Sequence, residues 1–300
     1  MVLRLFCVLM CLAGSAQAFE LPHDRGTVSL DAPPERIVAL GWGLAELLVE
    51  LDVAPAGVAD PEGYATWVVE PELAADTVNV GLRNEPNLER IAELDPDLIL
   101  AADQQTGLVP QLDRIAPTAY FKMFSADHDN AAKSREVYLA LAGAFGVSGM
   151  AEQRLDALDA RISKAGDRVR AAFDGPVPPV LPIRLLTPTS VRLHGENAMA
   201  VAALRGMGLT AADPGAPTQW GFRQARVEDL AAFEDAAVVH FDPFPQKDAL
   251  FGSDIWQFMP FVRAGRFAVA DPAWTFGGAF SLGRLADTMA AALTRIAEAE

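Results

Sequence analysis

Cysteine is nearly missing from this sequence. Its two copies, Cys7 and Cys11, fall within the first eighteen residues, which read as a cleavable leader. The remaining chain can therefore form no disulfide, no thiolate metal site and no cysteine nucleophile. Histidine is scarce as well: His23, His128, His194 and His240 show neither HxxH nor HExxH spacing. A helix-borne metal centre is not signalled, although distant side chains can still converge on a bare zinc or manganese ion. Neither a G-x-S-x-G turn nor a P-loop occurs, which leaves open only a serine hydrolase that lacks that motif. Positive charge is in deficit, with 24 Lys and Arg against 40 Asp and Glu and a formal net charge of −16. Such a surface repels phosphates and argues against nucleic acid or anionic lipid as a partner. Beyond residue 18 no apolar run approaches the roughly 20 residues that cross a bilayer.

What is there begins with the leader. Arg4 supplies a positive start, Leu5 to Leu12 an apolar stretch, and Ala16-Gln17-Ala18 a small-x-small cleavage site, the three parts of an export signal. The mature chain is expected to begin near Phe19 and to reside, soluble, in the periplasm. A membrane anchor would need a longer run, and this one ends in Gly14 and Ser15. Lipid attachment would need a cysteine after small residues, and Cys11 follows Leu9 and the bulky Met10.

Short apolar runs then alternate with helical patterns. Arg36 to Leu40 precedes a helix to Leu51, Ala56 to Ala59 follows, Asp97 to Ala101 precedes a helix ending near Ile115, and Thr118 to Phe121 closes the series. This βα rhythm predicts a mostly parallel sheet covered on both faces. It resumes with Val180 to Leu186, Val191 to Leu193, Ala236 to Phe241 and Arg266 to Ala270. Between the two series, Leu155, Leu158, Ile162, Ala165, Val169 and Ala172 recur at three- and four-residue spacing, while Arg154, Asp156, Asp159, Arg161, Asp167 and Arg168 fall elsewhere. That is a helix with one buried face. Without proline from Gly149 to Phe173, it would run roughly 37 Å at ~1.5 Å per residue, ended by Gly175-Pro-Val-Pro-Pro179. The expected organisation is a leader at 1–18, a first α/β lobe at 19–148, an interdomain helix at 149–174 and a second α/β lobe at 175–300. The halves echo each other: Leu88 to Leu100 and Val227 to Val239 match without a gap in apolar pattern, which favours two lobes over a solenoid.

Leu40-Gly-Trp-Gly-Leu-Ala-Glu46, with Asp60 after the next strand, resembles half of a dinucleotide fingerprint. Glu46 replaces the third glycine, and Trp42 sits where a pyrophosphate would meet the backbone, so that reading is weak. The tryptophans are more informative. Trp42, Trp67, Trp220 and Trp274 lie in or beside Gly/Pro-rich turns at predicted strand ends, whereas Trp256 falls in a helical run. Ligands of α/β sheets bind outside the carboxyl ends of the strands, so rings there would line a cleft; core packing is the rival reading for each. Arg83 sits on a predicted strand-to-helix loop, where a guanidinium can fork onto ligand oxygens or pair with Glu85 on the surface. Glu89 and Glu228 hold equivalent first-turn positions, suited to the helix dipole and, by their symmetry, to a paired docking contact.

With these residues assembled, the chain resembles the periplasmic ferric-hydroxamate-binding proteins, two-lobed receptors with a long interdomain helix that serve siderophore and cobalamin ABC importers. The resemblance rests most specifically on Val80-Gly-Leu-Arg-Asn-Glu-Pro-Asn-Leu-Glu89 and on Trp256-Gln-Phe-Met-Pro-Phe-Val-Arg-Ala-Gly-Arg-Phe267. Weaker matches are Pro34 to Leu40, Glu46 to Leu48, Gly57 to Asp60, Trp67, Arg114 to Pro117 and Trp220-Gly221. It implies that Arg83 contacts the hydroxamate oxygens, that Trp67, Trp220, Trp274 and Phe276 form apolar walls with Trp42 close by, and that Glu89 and Glu228 meet the membrane-spanning subunits of an ABC importer. Gln105 stands where that family carries a pocket tyrosine, which bears on the identity of the siderophore. The implied ligand is an iron(III)–siderophore complex whose metal arrives already wrapped, so no cofactor, side-chain metal ligand or catalytic residue is expected and a monomer suffices. A cobalamin or haem receptor of the same architecture, and a secreted hydrolase, are the alternatives.

Overall fold

Ile37–Ala39 and Leu98–Ala101 are buried at every position, as strands covered on both faces must be. They form the middle of a five-stranded sheet ordered Val78–Asn79, Gly57–Val58, Ile37–Ala39, Leu98–Ala101 and Thr118–Tyr120, parallel throughout. This is the first lobe in the computed structural model, which describes residues 18–299. The expected leader lies outside the described residues apart from Ala18. A hairpin of Phe19–His23 and Gly26–Leu30, not anticipated from the sequence, precedes the sheet.

The second lobe carries Phe222–Arg226, Ser190–His194, Val180–Thr187, Ala237–Phe241 and Phe267–Ala270 in that order. Here the parallel expectation holds only for the pairings of Ala237–Phe241 with its two neighbours; the others are antiparallel. The cause is local. Only Pro188 and Thr189 separate Val180–Thr187 from Ser190–His194, and a parallel crossover needs about a dozen residues or more, so the chain turns back as a hairpin. The echoed segments occupy like positions: helix Leu88–Glu93 leads into Leu98–Ala101, and the tight helical turn Val227–Ala232 leads into Ala237–Phe241.

A 25-residue helix, Ser148–Ala172, lies between the lobes and buries Ala151, Leu155, Leu158, Ile162, Ala165, Gly166 and Val169. Its one interior glycine has a packing reason: a Cβ at Gly166 would collide with the Met207 carbonyl oxygen of the second lobe, so only glycine permits this approach. On its other side Arg154 reaches Asp52 of the first lobe at 2.9 Å, and Arg161 and Arg168 both reach Asp287 of the last helix, Ser281–Ala297, at 2.6 Å. These exposed pairs add little individually. The stronger bond is apolar, since one core cluster runs from Leu44 and Leu47 through Leu158 and Ile162 to Leu285 and Met289. Among the described residues no helix is long and apolar enough to cross a membrane.

Candidate ligand-binding cleft

Segments leaving the carboxyl ends of the first lobe's parallel strands converge on one opening. Gly41 and Trp42 follow Ile37–Ala39, Arg83 follows Val78–Asn79, Ala102 to Gln105 follow Leu98–Ala101, and Met123 and Phe124 follow Thr118–Tyr120. The strand order explains the site: the chain runs outward from Ile37–Ala39 first to one side and later to the other, and ligands bind at such a switch point. The second lobe faces it with Arg192, Trp220, Phe222, Trp274 and Phe276. The cleft holds about 900 Å³ of empty space, its open mouth included.

Arg83 stands on a loop pinned by the Gly81–Pro86 bridge. Gly81 has φ +94°, and a Cβ there would stand 2.7 Å from the Asn87 nitrogen, so the turn requires glycine. Asn87 in turn caps Leu88–Glu93 by accepting from the Arg90 N–H at 3.0 Å. The guanidinium does not pair with Glu85. Its carbon lies 3.6 Å from the Trp42 ring centroid and 5.0 Å from that of Trp274, a cation–π arrangement. Trp42 is fixed by its own N–H, which donates to the Ala59 carbonyl at 2.9 Å. Burial lowers the Arg83 pKa, opposed by the charge of Asp60. Stacking uses the guanidinium face; the N–H donors on its edge bond to no side chain or carbonyl among the described residues.

One expected wall residue, Trp67, falls outside the cleft lining, and Gln105, which is on it, has a second task. Gln105 borders the cleft, but its amide is committed: Oε1 accepts from the Ala102 N–H at 2.9 Å and Nε2 donates to the Arg83 carbonyl. It positions the arginine loop from a place on the cleft lining. Trp67 does not line the cleft. It stands behind Trp274, ring centroids 6.1 Å apart, with the Arg184 guanidinium carbon 3.7 Å over its ring. Trp42, Trp220, Trp274 and Phe276 are brought together on the cleft wall with Arg83.

Several cleft residues carry no obvious sequence signal. Phe124, in an unremarked loop, stacks on Trp220 at 5.9 Å and meets Phe276 edge-on at 5.9 Å. Its segment is held by Asp103, whose carboxylate accepts from the Met123 and Phe124 N–H groups at 3.0 and 3.2 Å; burial raises the Asp103 pKa to about 6. Arg192 hides in an alternating strand, its guanidinium carbon 4.4 Å from the Phe222 ring centroid. Arg184 is the one that could have been found. A charge inside the otherwise apolar run Val180 to Leu186 is costly to bury and demands a reason. Burial first, then the charges of Arg192 and Arg83, lower its pKa to about 10, so it remains a cation at neutral pH.

Below the cleft the lobes are sewn together by groups the fingerprint-like sequence disguised. Glu46, fully buried, accepts from the Gly278 N–H at 2.9 Å, the Ser281 N–H at 2.6 Å and the Ser281 hydroxyl at 2.5 Å. Desolvation outweighs these bonds and raises its pKa to about 7. Gly43 serves the same contact, since a Cβ there would stand 3.0 Å from the Gly278 nitrogen. The Trp42 and Trp274 rings, 4.8 Å apart, cap the seam.

Glu89 and Glu228 are not part of the cleft. Each lies exposed in the first turn after its strand-side loop, and neither takes part in an ion pair among the described residues. No group of three or more His, Cys, Asp or Glu side chains that could hold a metal ion occurs among the described residues.

This geometry has known counterparts. The family model described as periplasmic binding protein matches residues 37–273. The iron(3+)-hydroxamate-binding protein FhuD of Escherichia coli (strain K12) is 34% identical over 257 residues, 83% of each chain. The crystal structure of Fe3+-Desferal-bound FhuD from Vibrio cholerae superposes with a TM-score of 0.85 at 38% identity, covering 87% of this chain and 98% of that one. A shorter match, 36% over 122 residues and 39% of this chain, links it to the Fe(3+) dicitrate-binding periplasmic protein FecB of Escherichia coli (strain K12), of which it covers 40%. With its two α/β lobes, its spanning helix and a model match over most of its length, the chain belongs to the periplasmic binding protein family.

Proposed function

We propose that this chain is an exported receptor that captures an iron(III)–siderophore complex of the hydroxamate class and delivers it to an ABC importer. The observation that carries this reading is the Arg83 guanidinium, laid over Trp42 and opening its edge into a two-lobed cleft walled by Trp220, Trp274 and Phe276. A ferric chelate has oxygens at its centre and hydrocarbon around them. A guanidinium fork suits the first and indole or phenyl faces suit the second. The relatives whose names specify iron hydroxamates support the same class.

The protein performs no bond chemistry in this account. The chelator supplies the inner coordination, and the cleft recognises the outer surface of the complex, with Gln105 holding the Arg83 loop and Trp67 backing Trp274. Glu89 and Glu228, exposed on corresponding turns of the two lobes, are the proposed contacts for arginines of the importer's membrane-spanning subunits. The Ser148–Ala172 helix, packed along both lobes, keeps lobe movement small during capture. The receptor works in the periplasm as a monomer, without a cofactor.

Tryptophan fluorescence tests the proposal, because Trp42, Trp220 and Trp274 border the cleft. Ferric hydroxamates are expected to quench it, and Arg83→Ala to weaken binding about tenfold or more, as expected for loss of a charge-assisted bond. No response to any iron chelate, with a response to cobalamin or haem, would reassign the receptor. Turnover of ester or amide substrates would move it to the hydrolases.

A further inference from the structure

Two guanidiniums line the cleft and a third stands behind its Trp274 wall, and none of the three forms an ion pair among the described residues. Arg83 lies over Trp42, Arg192 over Phe222, and Arg184 over Trp67, at 3.6, 4.4 and 3.7 Å from the respective ring centroids. Arg184 is only 6% exposed. Its Nη1 and the Nε of Arg192 are buried without a hydrogen-bond partner, which is costly for charged groups. Acids are not in short supply. The chain has 16 more of them than bases, and Arg36, Arg154, Arg161 and Arg223 each lie within ion-pair distance of one. The nearby negative groups are engaged elsewhere: Asp103 accepts from the Met123 and Phe124 N–H groups, and Asp60 from Gly63. His194, beside Arg184 and Arg192, is kept neutral by burial and by their charges. The result is a cluster of cations in and behind the cleft that make no ion pair among the described residues, with the charge of Asp60 acting on Arg83 alone.

Resting on the ferric-siderophore reading, we propose that the cleft selects a ferric chelate of net negative charge, a carboxylate-bearing hydroxamate of the citrate-bridged type, over a neutral trihydroxamate. Arg192 and Arg184 set that preference. Arg192 lines the cleft and meets the ligand carboxylate. Arg184 lies behind Trp274, at 5.5 Å from its ring centroid, and acts through its field across a low-dielectric wall, where charges are weakly screened. A neutral chelate would exclude water from these cations and return no charge; an anionic one would complete them.

The test compares two probes by fluorescence titration: the iron(III) complex of a citrate-bridged dihydroxamate, which is anionic, and that of a cyclic trihydroxamate, which is neutral. The native protein is expected to bind the anionic complex about tenfold more tightly or better. Arg192→Gln and Arg184→Met should each weaken the anionic complex about tenfold while leaving the neutral one within about threefold. Arg192→Lys, which keeps the charge and should fold as the native chain does, should retain the preference. Equal or tighter binding of the neutral complex by native protein overturns the inference, as does a matching loss for both probes in the variants. Binding of neither probe overturns the siderophore reading itself, and this inference with it.

Discussion

The seam and the cleft are built from the same stretches of chain, yet they treat buried charge in opposite ways. At the seam, the Glu46 carboxylate, one turn along the helix that starts at Trp42, receives three hydrogen bonds from Gly278 and Ser281. In the cleft, Arg83 lies on Trp42 itself and Arg192 stands 5.6 Å from the Phe276 ring, with aromatic faces for company and no acid. Where the lobes meet, the fold surrounds a buried acid with three hydrogen-bond donors, although desolvation still favours its protonated form. Where it leaves charges unmatched, stability is conceded to recognition, and the missing partner is expected on the ligand.

The largest effects are expected at the seam. Glu46→Ala would strand two buried N–H groups and a hydroxyl without an acceptor, and is expected to cost about 3–5 kcal/mol of unfolding free energy in urea titration; a loss below about 1 kcal/mol would mean that the seam does not hold the lobes. The next effect is pH-dependent. Because burial raises the Glu46 pKa from 4.5 to about 7, the folded state binds that proton more tightly than the unfolded state. The stability it confers is therefore complete below about pH 4.5 and lost as pH rises through about 7, roughly 3 kcal/mol in all. Glu46→Gln should flatten this part of the pH profile, measured as urea midpoints between pH 5 and 8. Gly43→Ala, which places a methyl 3.0 Å from the Gly278 nitrogen, should cost about 1–3 kcal/mol. At the cleft the sign of the comparison turns. Arg184→Met removes an uncompensated buried cation together with its stacking on Trp67, and its unfolding free energy should stay within about 1 kcal/mol of native, while binding of an anionic chelate falls.

Legibility in the sequence followed the same division. Arg83, Trp42, Trp220 and Trp274 are legible because they sit in or beside turns at strand ends, where punctuation by glycine and proline is strong and chemistry is expected, whereas Phe276 is legible only through the family resemblance. The long helix was readable because its stripe is uninterrupted. The antiparallel half of the second sheet was not, since apolar runs give no pairing direction and the two-residue link Pro188-Thr189 was the only clue. Arg184 and Arg192 are hidden inside strands and Phe124 in a plain loop, while Trp67, whose turn suggests a cleft wall, instead backs Trp274. Glu46 was read as the glycine missing from a nucleotide motif. Only the tertiary contact with Gly278 and Ser281, more than 230 residues away, reveals that a carboxylate is needed there.

A crystal structure of the protein grown with a ferric hydroxamate puts the central claim to the most direct test. Iron density is expected in the cleft lined by Trp42, Trp220, Trp274 and Phe276, with Arg83 nitrogens within hydrogen-bonding distance of chelate oxygens. A chelate lodged elsewhere, or an Arg83 side chain turned away from it, would contradict the account.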